Sequence, residues 1–101
     1  MFSTPITLDR ERNLRYDMKA LSFIEKKLEI KIANMDVGGL SIEGIAVFVW
    51  AGLMHEDDSL SVVKVMDLID RHSNLKKIMK AAAKAFSAAF AEDGEDEVKN
   101  G

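Results

Sequence analysis

The chain reads as a mainly α (α+β) domain, a short N-terminal β-hairpin followed by about four helices packed as a small bundle. Three observations predict this. Apolar residues alternate with period two only over residues 5–16. Helical spacing takes over from residue 17 onward. Polar or glycine-containing breaks at 36–39, 55–58 and 72–74 then cut the remainder into four segments. A length of 101 residues with 48% hydrophobic content is one domain's worth of core. The expected organisation is one helical domain over 1–91 and an acidic tail over 92–101.

The hairpin is expected at about 5–16. Ile6 and Leu8 alternate with polar neighbours, Leu14 and Tyr16 do the same, and charged Asp9 to Arg12 lies between them. Two strands alone are marginal, so the hairpin needs a helix to pack on. Asp17 is an N-cap for a helix whose stripe is Met18, Leu21, Ile24 and Leu28. That helix is expected to run about three turns and to stop before Asp36-Val37-Gly38-Gly39.

Ser41 caps the next segment, with Glu43 in its first turn. Residues 42–54 are apolar on every face, which marks a buried helix. Their β-branched run also fits a strand, but a buried strand of that length is unusual, so length favours helix. Ser59 or Ser61 caps a third helix with the stripe Val62, Val65, Met66 and Ile69. His72-Ser73-Asn74 is a break that caps a fourth, carrying Leu75, Ile78, Ala82, Ala85, Phe86, Ala89 and Phe90 on one side and Lys77, Lys80 and Lys84 on another. Residues 92–101 have one apolar residue, Val98, and too little to bury, so disorder is expected there.

Charge and composition exclude several classes of function. The net charge of −3 is uneven: Glu92, Asp93, Glu95, Asp96 and Glu97 face one Lys99 in the last ten residues, whereas the body is close to neutral. A near-neutral body does not coat nucleic acid. Cys is 0, which removes disulfides, thiolate zinc sites and a cysteine nucleophile. The start lacks a basic n-region and an apolar h-region, and the longest uncharged apolar run, Gly44 to Met54, is about half of the ~20 residues that span a bilayer. A soluble cytoplasmic protein without a membrane partner is expected.

Motifs for catalysis fail on spacing. His55-Glu56 has Ser at 59 where a zinc-protease helix needs His. Gly39 and Gly44 have phosphate-loop spacing, but Ile45-Ala46 replaces the Lys and Ser/Thr that hold phosphate and magnesium. Glu56-Asp57-Asp58 lacks the alternating ligands and central Gly of a calcium loop. Arg10, Arg12 and Arg15 would share one face of a hairpin as a small basic patch, but Asp9, Glu11 and Asp17 interleave with them. No catalytic, cofactor or metal residue is singled out, and no enzyme activity or nucleic-acid partner is expected.

Two features point to protein partners. Met18, Met35, Met54, Met66 and Met79 put one methionine in or beside each helical segment. They either fill core space or line an adaptable groove. The segment 42–54 carries more apolar surface than short helices easily cover, so it is either fully buried or partly at an interface. Candidate contact surfaces are the exposed parts of 42–54 and the Lys77/Lys80/Lys84 face, and apolar faces also allow homo-oligomers.

The segments Leu14-Arg15-Tyr16-Asp17-Met18-Lys19-Ala20-Leu21 and Ile24-Glu25-Lys26-Lys27-Leu28 resemble the opening of tail assembly chaperones of long-tailed phages and gene-transfer agents. Val49-Trp50-Ala51-Gly52-Leu53-Met54-His55-Glu56-Asp57, the helix Val65-Met66-Asp67-Leu68-Ile69-Asp70 and the ending Ala85-Phe86-Ser87-Ala88-Ala89-Phe90 carry the same resemblance, which covers about residues 6–91. Members typically end the first helix with Gly near position 29. Here Glu29-Ile30-Lys31-Ile32 stands there, which leaves the helix end and the 30–40 loop open. The resemblance implies a non-enzymatic cytoplasmic factor, absent from the mature virion. It would bind the tape-measure protein, keep it soluble and help recruit tail-tube subunits. It also implies a frameshifted longer form, for which Lys99-Asn100 fits a slippery codon pair.

Overall fold

The structure, a computed structural model, describes the backbone of residues 3–98 and the side chains of residues 3–89. Its order is β1 (Thr4–Thr7), β2 (Glu11–Leu14), α1 (Met18–Leu28), 3-10 turns at Ile32–Asn34 and Val37–Gly39, α2 (Ile42–Leu53), α3 (Val62–His72) and α4 (Leu75–Val98). The predicted hairpin and four helices are all present.

The two strands pair antiparallel with Thr4 opposite Leu14 and Thr7 opposite Glu11. A three-residue loop, Leu8 to Arg10, joins them and is closed by the Leu8 N–H donating to the Arg10 carbonyl at 3.0 Å. Strand alternation sends Thr4, Ile6, Leu8, Arg12, Leu14 and Tyr16 to the buried side. Arg12 is therefore on the opposite face from Arg15. The one-face arginine patch expected from the sequence does not form, because Arg12 and Arg15 are an odd number of residues apart.

Each helix starts at a side-chain cap. Asp17 Oδ1 accepts from the Ala20 N–H at 2.9 Å, Ser41 Oγ from Gly44 at 3.0 Å, Ser61 Oγ from Lys64 at 3.1 Å and Asn74 Oδ1 from Lys77 at 2.9 Å. Of the two serines proposed for α3, Ser61 is the cap. Ser59 instead hydrogen-bonds Asp57.

α1 has the expected three turns but departs from expectation at its first residue. Met18, placed in its apolar stripe by spacing, is 86% exposed, and Ala20 and Ile24 form the buried line instead. The helix ends at Leu28, well before the glycine pair, because Glu29 turns left-handed at φ 55, ψ 45. Left-handed backbone cannot propagate the helix, so Glu29 does what Gly usually does at this position. The 3-10 turns then carry the chain to α2, and Val37 is their one buried residue.

α2 is the centre of the fold, in contact with β2, α1, α3 and α4. Nine of its residues are buried, with Phe48, Val49 and Leu53 fully so. That resolves the strand alternative in favour of helix. Each such side chain is worth ~1.5–3 kcal/mol on full burial, so this helix dominates the core's stabilisation. Tyr16 stacks on Phe48 at 4.3 Å, and Phe86 of α4 meets the same ring edge-on at 5.7 Å. α3 contributes Val65 and Ile69, and α4 contributes Ile78, Ala82 and Ala85.

The helical backbone of α4 runs to Val98, beyond the expected domain end at 91. The side chains of the acidic segment 92–98 and residues 99–101 lie outside the described residues, and with them the expectation for the 92–101 tail. Among the described residues, no helix is long and apolar enough to cross a membrane.

Candidate functional site

The stretch from Gly52 to Asp57 is where the hairpin docks. β2 has an outward edge, and α2's C-terminal end satisfies it group by group. The Arg15 N–H donates to the Gly52 carbonyl at 2.9 Å. The Asn13 N–H and Nδ2 donate to Glu56 Oε1 and Oε2 at 3.2 and 3.1 Å. His55 Nε2 lies 2.7 Å from the Asn13 carbonyl, and a carbonyl only accepts, so the proton is on Nε2. Gly52 has no side chain where Tyr16 crosses: a Cβ there would meet Tyr16 Oη at 2.5 Å. The Tyr16 hydroxyl donates to the Phe48 carbonyl at 2.7 Å, and burial pushes its pKa well above the usual value.

Arg12 closes the clasp from inside. Its guanidinium reaches Asp9 at 2.9 and 3.0 Å and Asp57 at 3.3 Å while the side chain is 4% exposed. The Arg12 hydrogen bond lowers Asp9 to about 2. Asp57 is lowered first by the Ser59 hydroxyl and then by Arg12. Burial pushes Glu56 up, but its two Asn13 hydrogen bonds outweigh that and leave it lowered. Arg10 makes a 3.8 Å pair with the same Asp57 oxygen. The residues that looked most like catalytic or metal chemistry, His55, Glu56 and Asp57, are thus engaged in holding β2. Among the described residues no group of three or more metal-ligating side chains is placed to hold an ion.

The open surface lies elsewhere. A cavity of about 280 Å³ sits between α2, α3 and the start of α4, walled by Ile42, Ile45, Ala46, Met66, Ile69 and Leu75, with Asp70 at its edge. Ile42 is 62% exposed and Leu75 40%, although spacing gave both to apolar faces. Of the two alternatives for 42–54, burial holds for most of it, and Ile42 is its one exposed large apolar side chain. The methionines follow a related pattern. Among the described residues none is in the buried core; Met18 is exposed, and Met35, Met54, Met66 and Met79 are half-buried. Met35, Met54 and Met66 each line a surface cavity. The sequence showed one methionine per helical segment but not their depth, and Met35 and Met79 also pack against the edge of the core. Lys77, Lys80 and Lys84 are exposed along α4, as expected.

Comparison of the chain with protein-family profiles, with curated proteins and with solved structures gives no match.

Proposed function

We propose that this protein is a tail assembly chaperone of the kind found in long-tailed phages and gene-transfer agents. In this reading it binds amphipathic helices of the tape-measure protein, keeps that protein soluble and helps recruit tail-tube subunits. It works in the bacterial cytoplasm, without enzymatic activity, and leaves before the virion is complete. The observation that carries the reading is the apolar cavity bordered by exposed Ile42 and Leu75, with Met66 in its wall. A helix-binding groove needs apolar anchors left uncovered and a side chain that adapts to different partners. One such groove gives modest affinity, and many copies along a long helical rod add up by avidity.

Co-expression with the tape-measure protein tests this. The soluble tape-measure fraction should rise with the wild-type chain and fall back with Ile42→Asp combined with Leu75→Asp. Solubility unchanged along the whole tape-measure length would overturn the assignment. A generic helical interaction module serving some other helix is the second reading the same groove supports. It would be favoured if the neighbouring genes encoded no tail-tube and tape-measure proteins.

A further inference from the structure

α4 carries its charge against its own dipole. A helix favours acids in its first turn and bases in its last. The other three helices comply: Glu43 opens α2, Lys26 and Lys27 close α1, and Arg71 and His72 close α3. α4 has no acid in its first turn and no base in its last. Its first half holds Lys76, Lys77, Lys80 and Lys84, with no acid before residue 92, and its last turns hold Glu92, Asp93, Glu95, Asp96 and Glu97. The backbone is one continuous helix of 24 residues, a rod of ~36 Å, so its two charged halves cannot meet within one chain.

The fold does not use the lysines. All four are exposed, and none has an ion pair among the described residues. Lys76 and Lys80 share an outer face with Ala83 and Ser87, which are exposed too, opposite the buried Ile78, Ala82 and Ala85. Lys77 and Lys84 flank that face. Helical spacing continues the same face through Gly94, with Glu95 and Glu97 at its two flanks. Beside Ala83 and Ser87 lies a cavity of about 530 Å³, walled by Met35, Val37 and Phe86. Asp36 at its edge already accepts from the Gly38 N–H.

We infer that a second copy of this chain docks along this face, its α4 antiparallel to the first and crossing it between Phe86 and Ser87. Equal distances from the crossing set Lys77 level with Glu95 of the second copy and Lys76 level with Glu97, and the two-fold axis repeats both pairings. Phe90 of the second copy comes level with Ala83, at the mouth of the cavity. Small residues at the crossing let the two rods approach closely. The antiparallel arrangement also sets each acidic end beside the other helix's N-terminus, where the dipole favours anions. A parallel pair would set lysine against lysine. The dimer goes beyond the proposed function and does not depend on the groove at Ile42.

Sedimentation equilibrium on the full chain tests this. The mass should approach twice the 11.2 kDa of one chain as concentration rises. Raising salt from about 0.1 M to about 1 M shortens screening from ~10 Å to ~3 Å and should weaken the dimer about tenfold. Two variants make the test specific. One reverses the bases (Lys76→Glu, Lys77→Glu, Lys80→Glu, Lys84→Glu), the other the acids (Glu92→Lys, Asp93→Lys, Glu95→Lys, Asp96→Lys, Glu97→Lys). Each should be monomeric alone, and mixing them should restore the dimer mass, because an all-negative α4 then meets an all-positive one. Misfolding would not give that rescue. The chain has no Cys, so Ser87→Cys supplies its one thiol and should form a disulfide dimer under mild oxidation, whereas Val63→Cys on α3 should not. A monomer mass at every concentration and salt, reversal variants that still dimerise alone, or a mixture that stays monomeric would overturn the inference. No tape-measure protein enters this experiment and Ile42 is untouched, so its failure leaves the groove standing, and the reverse.

Discussion

Replacing Gly52 with Ala should destabilise the protein although it improves an α-helix on paper. Gly→Ala inside a helix normally gains ~1 kcal/mol. Here the new Cβ would lie 2.5 Å from Tyr16 Oη, 2.6 Å from Cζ and 3.0 Å from Leu14 Cδ2. The tip of Leu14 can rotate away, but Tyr16 is a rigid ring, 5% exposed and stacked on Phe48. Forcing a methyl into a packed core costs ~1–3 kcal/mol. Displacing the ring also breaks its hydrogen bond to the Phe48 carbonyl, leaving a buried group unsatisfied at ~1–3 kcal/mol. The net expectation is a loss of about 3 kcal/mol, which is ~12–24 °C in Tm for a domain of this size.

Urea unfolding followed by Trp50 fluorescence and by helical circular dichroism measures this. The decisive step is a double-mutant cycle. Tyr16→Leu shortens the side chain and clears the space. In that background Gly52→Ala should change sign and stabilise by about 0.5–1 kcal/mol through helix propensity alone. A Gly52→Ala effect within about 0.5 kcal/mol of zero in the wild-type background, or a cost that persists with Leu at 16, would refute the steric account.

Three further outcomes are expected. Glu29→Gly should raise the unfolding free energy from urea titration by about 0.5–1 kcal/mol, since the φ of 55 strains any residue with a Cβ, whereas Glu29→Ala should bring no such gain. Asn74→Ala should cost about 1 kcal/mol by removing the α4 cap, read in the same urea titration. For pH, Asp9 is lowered from 3.8 to about 2 by Arg12. A depressed carboxyl stabilises the fold above its unfolded value, and that contribution is lost as pH falls from about 4 toward about 2. Arg12→Met keeps the packed stem and removes the partner, so its stability profile should be flatter across that acid window than the wild type's.

The local features were legible because their causes are local. Asp17, Ser41 and Asn74 cap helices through bonds to residues three positions on, and 3.6-residue spacing marked Val65, Ile69, Ile78 and Ala82 as buried. Met18 escaped because spacing places a residue on a face but does not say how far the neighbouring element extends. Glu29 escaped because a left-handed residue other than Gly carries no reliable sequence signal. The roles of His55, Glu56 and Asp57 were hidden for another reason. Their partners, Asn13 and Arg12, are more than forty positions away in the chain.

The sequence alone determined the hairpin, the four helices and the caps at Asp17 and Ser41, because period and capping are set by chemistry within a few residues. Tertiary structure decided what those elements do together. It turned the distinctive Gly52 to Asp57 stretch from candidate chemistry into a clasp for β2, because only folding sets that stretch beside the outward edge of the strand. It left Ile42, Met66 and Leu75 around an open cavity, because three helices of unequal reach do not close over their shared end. The arginines were separated in the same way: Arg12 was drawn inward onto two carboxylates by the pleat of the strand, and Arg15 was left on the other face beside Asp17.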